Sequence, residues 1–183
     1  MKQFLTALTA VLLFMACNDE KSTEGSDKAQ AKKESSSISY PYTATYSSDF
    51  SMGDANHSKM VLDLFEMWED NKVDEMKTLL ADSVWINFPD GYKFKDNTVD
   101  SMIKFAKEYR KTLSSVRTNM DGWMPVRAND KKQDFVLTWG TDYIKNNEGK
   151  EDSISVHAYF LIVNNKIRGW SEFQQKLTPP AMK

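Results

Sequence analysis

The chain has 183 residues and a formal charge of -2, room for one ordinary domain with an extension and too little positive charge to hold a phosphate backbone, so nucleic acid is not an expected partner. Its one cysteine, Cys17, rules out an intramolecular disulfide and a cysteine-rich metal site, and two histidines give little support to an imidazole-rich one. Any metal would have to rest mainly on carboxylates, and neither a metal nor a cofactor is expected.

Residues 1–17 open with Lys2, continue through an apolar segment from Phe4 to Ala16, and place the small Ala16 directly before Cys17, the layout of a secretory signal. The apolar segment is short for a permanent membrane span. The ending "LFMAC" resembles a bacterial lipobox, with Phe14 and Met15 departing from its commonest residues. That resemblance implies a lipid on Cys17 and a lipoprotein anchored in the cell envelope, facing the periplasm or the cell surface. A plain cleaved signal or a buried helix are the other readings. Residues 18–55 are expected to be a flexible tether followed by a partly packed arm. The run after Cys17 has no aromatic residue and too little apolar surface to offset the entropy of ordering it, whereas Tyr40, Tyr42, Tyr46 and Phe50 give the later part something to pack with.

The folded domain is expected over residues 56–178. Met60, Val61, Leu64, Phe65 and Trp68 recur at helical spacing between Asn56 and Asn71. Val73 to Leu80 reads as a second, short helix. "SVWINF" alternates as a strand, with Val84, Ile86 and Phe88 on one face and Trp85 on the other, and closes on the turn signal "PDG", after which "YKF" can return beside it. Asn97 or Thr98 caps a third helix whose stripe is Val99, Met102, Ile103, Ala106, Tyr109 and Leu113. From Val116 the period changes to that of strands: Val116 to Ala128, Phe135 to Lys145, Ser153 to Val163 and Lys166 to Gln174, with short polar links. Helices followed by a meander of long strands indicate an α+β domain with helices against one face of a curved antiparallel sheet.

The last hairpin carries the chemistry. A two-residue turn at Asn164-Asn165 sets Val163 opposite Lys166 and, two by two along the ladder, Tyr159 opposite Trp170 and His157 opposite Glu172 on one face. On an exposed face, His157 and Glu172 form a weak cross-strand ion pair of about 0.2–1 kcal/mol. In a pocket they become a general acid/base pair or a polar anchor, with Tyr159 and Trp170 as walls. A register slip of one residue would set His157 against Phe173 instead. Asp142 is a second pocket acid if its face of the sheet points inward, and Trp85 is a further candidate for the lining. His57, at the start of the first helix, is expected to be exposed or capping.

The segment "MVLDLFEMWEDNKVDEMKTLLADSVWINFPDG" together with "FLIVNNKIRGWSEF" resembles the nuclear transport factor 2-like superfamily, nearest its SnoaL-like polyketide-cyclase branch, over roughly residues 56–175. The resemblance implies a cone-shaped sheet wrapped around helices and a deep pocket, often in homodimers that meet through the sheet. It also implies, where members are catalytic, cyclase, isomerase or dehydratase chemistry without a cofactor, using a pocket Asp or His. The acid of the pattern "Lys-Ile, four residues, Asp" falls on Glu172, with Glu in place of Asp, and its histidine falls one residue out of step with His157. Three functions follow as expectations: a binding domain for a small, partly apolar molecule, a cofactor-independent lyase or isomerase, and an interaction domain that dimerises through its sheet.

Overall fold

In the computed structural model, residues 39–94 and 98–177 are described. The signal-like segment, Cys17, most of the tether and Asn97 lie outside them. The chain divides into two units, Met1–Pro41 and Tyr42–Lys183, and the second carries all the elements that follow.

These are β1 (Phe50–Met52), α1 (Ala55–Glu69), a single 3-10 turn at Glu75–Thr78, β2 (Leu80–Asn87), α2 (Val99–Arg110), β3 (Leu113–Ala128), β4 (Gln133–Asn146), β5 (Glu151–Val163) and β6 (Lys166–Lys176). The fold is the expected α+β one: two helices against a curled six-stranded sheet in the order β1-β3-β4-β5-β6-β2. Four of the five pairings are antiparallel, and β2 lies parallel to β6, so the sheet is mixed. The arm packs at the far edge, where β1 pairs with β3 and Tyr46 meets Phe135 edge-on at 6.0 Å. The segment Val73 to Leu80, expected as a helix, winds only one 3-10 turn, because Leu80 already joins β2 and pairs with Ile167. "YKF" adds only an isolated bridge, Asn87 to Lys93.

Each helix is started and stopped by local chemistry. Asp54 caps α1 by accepting from the Asn56 N–H at 2.8 Å, and Thr98 caps α2 by accepting from the Ser101 N–H at 3.2 Å. Asn71, at φ 60°, supplies the left-handed residue that ends α1. Arg110, buried at the end of α2, donates to the carbonyls of Trp68 at 3.1 Å, Glu69 at 3.1 Å and Leu113 at 2.9 Å. A guanidinium thus joins the Asn71 N–H on the Trp68 carbonyl, satisfies that of Glu69, and sets a positive charge at the negative end of the α1 dipole. Val61 and Leu64 of α1 and Met102, Ile103 and Ala106 of α2 form one core with Val84 and Ile86 of β2 and Val136, Ala158 and Phe160 of the sheet.

The β5–β6 hairpin departs from the expected register. Its turn is as expected, with Asn164 at φ 51° and Asn165 at φ 55°, and Val163 pairs with Lys166 and Ile162 with Ile167. Arg168 is then an extra residue: Leu161 pairs with Gly169, Phe160 with Trp170 and Tyr159 with Ser171. This β-bulge moves everything beyond it by one position. Its cause lies in the parallel neighbour, because Trp85 of β2 packs directly against Gly169 and the Arg168 guanidinium donates to the Ser83 carbonyl at 2.6 Å. The indole needs a residue without a Cβ beneath it, and the extra residue re-aims the strand to provide one.

Candidate functional site

Since side chains alternate along a strand, one inserted residue exchanges the faces of β6 relative to β5. Beyond the bulge Trp170, Glu172 and Gln174 share the helix-facing side with Phe160, Ala158 and Val156, and Ser171 and Phe173 share the opposite side with Tyr159 and His157. The expected His157–Glu172 opposition is therefore overturned: His157 pairs with Phe173, and Glu172 with Ala158.

His157 is exposed on the outer face, with Trp139 edge-on at 6.3 Å and Phe173 at 6.4 Å. Tyr159 lies on the same face, and its phenol oxygen accepts from Ser171 Oγ at 3.0 Å. Neither lines a pocket with Glu172. Trp85, also expected in the lining, is occupied in covering Gly169. His57 is likewise corrected: it is buried, and its Nε2 lies 3.2 Å from Asn165 Oδ1, which ties the start of α1 to the turn of the last hairpin.

What the inner face does enclose is a cavity of about 420 Å³ between α1, α2, the segment after β2 and the strands β4 to β6. Its walls are mostly apolar and rich in aromatic rings. Trp68 stacks on Tyr109 at 6.1 Å, Phe160 stacks on Trp170 at 5.6 Å, and Phe65 meets Phe160 edge-on at 5.8 Å. Phe88, Tyr92 and Phe105 form a third group with centroids 5.8 to 6.3 Å apart.

Three carboxylates line this apolar space: Glu172 from β6, Asp142 from β4, and Asp90 from the turn after β2. Burial pushes the Glu172 carboxyl above its ordinary range; the Trp170 indole N–H, which donates to its Oε1 at 2.7 Å, pulls it back, and the charge of Asp142 pushes it up again. Burial also raises Asp142, against the pull of Thr118 Oγ1 donating to its Oδ1 at 2.8 Å and with a further push from Glu69. The Tyr109 phenol is held up by burial and then by both acids. Among the described residues that line the cavity there is no Lys, Arg or His. Groups of three or more His, Cys, Asp or Glu that could hold a metal are also absent among the described residues.

The arrangement can accept hydrogen bonds, hold a proton on a carboxyl at a higher pH than a surface acid would, and surround an apolar body. Of the residues expected from sequence, the structure brings Glu172, Trp170 and Asp142 together and sets His157, Tyr159 and Trp85 elsewhere. Phe65, Trp68, Phe88 and Tyr109 are legible in the sequence only as helix or strand stripes, a pattern that core and cavity wall share, and Phe105 falls outside the α2 stripe.

No protein-family model matches the chain, and no curated protein matches its sequence. Solved structures do match. A SnoaL-like polyketide cyclase of Shewanella denitrificans superposes with a TM-score of 0.56 at 8% identity, over 67% of this chain and 92% of that one. An NTF2-like protein of Burkholderia pseudomallei gives 0.55 at 14% identity, over 67% and 92%. An LEH-like epoxide hydrolase of M. tuberculosis gives 0.55 at 11% identity, over 65% and 82%. The fold is the nuclear transport factor 2-like one, in which helices close a cone of curled sheet.

Proposed function

We propose that this chain binds a small, partly apolar molecule in the cavity between its helices and its sheet, with Glu172 and Asp142 as polar anchors. The observation that carries the proposal is the pairing of an apolar, ring-rich cavity with two half-buried carboxylates that no fixed cation in the lining partners. A folding core gains nothing from that combination, because a desolvated acid without an ion partner lowers stability. Residues that cost stability and face a cavity are expected where a ligand compensates for them. Native mass spectrometry of the purified protein, followed by titration calorimetry with any molecule it retains, tests the proposal. A retained molecule is expected, and Glu172→Gln with Asp142→Asn should release it.

The second reading is a cofactor-independent lyase or isomerase, and the raised carboxyls favour it. An acid shifted toward neutral pH can take and return a proton, and the Tyr109 phenol beside it can donate a hydrogen bond to a developing oxyanion. Names such as cyclase and hydrolase among proteins of this fold do not transfer an activity, which depends on the site itself. In this reading Glu172 or Asp142 carries the proton, and His157, on the other face, does not.

The remaining parts of the proposal concern attachment and assembly. A lipid on Cys17 would tether the domain to the bacterial envelope, supported by the lipobox-like "LFMAC"; palmitate labelling that is lost in Cys17→Ser tests it. Pairing of two copies through the outer sheet face is supported by its line of contacting rings, Tyr46, Phe135, Tyr159, Phe173, His157 and Trp139. Sedimentation of native chain and of Phe173→Glu tests that part.

A further inference from the structure

The cavity's charge and its walls together restrict what can occupy it. Glu172 and Asp142 each receive one side-chain hydrogen bond, at Oε1 and Oδ1, and their second oxygens have no donor among the described residues. Glu69 adds a third acid near Asp142, although one of its oxygens is engaged by the Thr118 N–H at 2.9 Å. Asp90 lies among the lining residues as well. Arg110, at the end of α2, is no counter-ion for them. Arg110 lies over Trp68, with its Cζ 5.9 Å from the ring centroid, and its Nε, Nη1 and Nη2 are each bound to a backbone carbonyl. Every charged side chain in the lining is therefore acidic.

The walls bias the site in the same direction. Trp68, Tyr109, Phe160 and Trp170 line the cavity, and a ring attracts a cation and repels an anion wherever it offers a ligand its electron-rich face. A neutral ligand would leave the carboxylates without compensation, and an anionic one would add to the repulsion. A positive group on an apolar body satisfies both features: its N–H groups fill the open carboxylate oxygens, and its carbon skeleton replaces water against the rings.

From this complementarity we infer that the ligand of this cavity is an organic ammonium ion carrying an apolar, ring-sized body, held between Glu172 and Asp142 against the Trp68/Tyr109 and Phe160/Trp170 walls. The inference rests on the pocket-binding reading and specifies its chemistry. It gives affinity a definite pH dependence. With Glu172, Asp142, Asp90 and Tyr109 in the lining, Glu69 beside Asp142 and Arg110 held by its carbonyls, a rise in pH deprotonates Glu172 and Asp142 and strengthens binding until the amine itself loses its proton.

Three probes of one shape separate the claims. Isothermal titration of the native chain at pH 7.5 uses 1-naphthylmethylammonium, neutral 1-naphthylmethanol and anionic 1-naphthoate. The ammonium should bind at least about tenfold more tightly than the alcohol, a difference of about 1.4 kcal/mol, and the naphthoate most weakly. The ammonium should also bind more weakly at pH 5 than at pH 7.5, and Glu172→Gln with Asp142→Asn should abolish its preference over the alcohol. Alcohol or naphthoate binding as tightly as the ammonium would overturn the inference and leave the pocket-binding reading in place. Failure of all three to bind would overturn both. The comparison on the native chain decides the matter even if the double variant does not fold.

Discussion

Alanine at position 169 tests the bulge on which the site depends. A Cβ built on Gly169 lies 2.5 Å from Trp85 Cε2 and 2.5 Å from the Trp85 backbone oxygen, where ordinary contacts between carbon atoms need about 3.5–4.0 Å. The indole can tilt, but the carbonyl belongs to β2 at the residue that pairs with Gly169, so relief requires the two strands to separate. Overpacking of this kind costs about 1–3 kcal/mol, offset by about 0.4–1 kcal/mol because alanine restricts the unfolded chain. The expected net loss is about 1–2 kcal/mol, measured by urea denaturation followed by circular dichroism. Because the same bulge turns Glu172 inward, affinity for a cavity ligand should fall as well. Gly149→Ala is the control: its φ of 85° with nothing within 4 Å of the added Cβ predicts a backbone cost of about 1–2 kcal/mol and unchanged binding. Gly169→Ala as stable as the native chain would refute the account of why the strand is bulged.

Other outcomes follow from the same geometry. Glu172 and Asp142 have folded-state pKa values raised by burial, so the folded chain holds these protons more tightly than the unfolded chain. Native stability should then fall as pH rises from the ordinary carboxylate range, about 4, through the raised values. Glu172→Gln with Asp142→Asn should flatten that slope and be more stable than the native chain at pH 7–8 in thermal melts. His157→Ala should leave ligand affinity unchanged by calorimetry and cost under about 1 kcal/mol, since its ring is exposed on the far face. Phe160→Ala, at a side chain 2% exposed, should cost about 3–5 kcal/mol in urea denaturation and weaken binding by removing the ring stacked on Trp170.

Most of the architecture can be read from periodicity. The stripes of α1 and α2, the long strands and the Asn164-Asn165 turn all follow from local rules that dominate their own segments. The 3-10 turn at Glu75–Thr78 does not, because pairing of Leu80 with Ile167 across the chain overrides the helical stripe. The site was legible in part: Glu172, Asp142 and Trp170 stand out as polar or amphipathic residues in strands. Their companions were misread because a single inserted residue exchanges faces, and a hairpin counted from its turn carries no trace of an insertion further along. One signal was present. A glycine inside a strand pattern, as in "KIRGWSEF", marks a bulge or a close backbone approach; Gly169 follows the bulged Arg168 and makes the close approach to Trp85. Its partner Trp85 comes from a strand more than eighty residues earlier, and no local pattern announces a parallel neighbour.

Carbon-13 NMR titration of the Glu172 and Asp142 side-chain carboxyls in the native, ligand-free chain tests most directly whether two acids have been drawn out of water into this cone. Both midpoints should lie above those of the same residues in the urea-unfolded chain, and Asp142→Asn should lower that of Glu172 by removing a neighbouring charge. Midpoints at or below the unfolded values would mean that these carboxylates meet solvent or a fixed cation, and the proposed site would be contradicted.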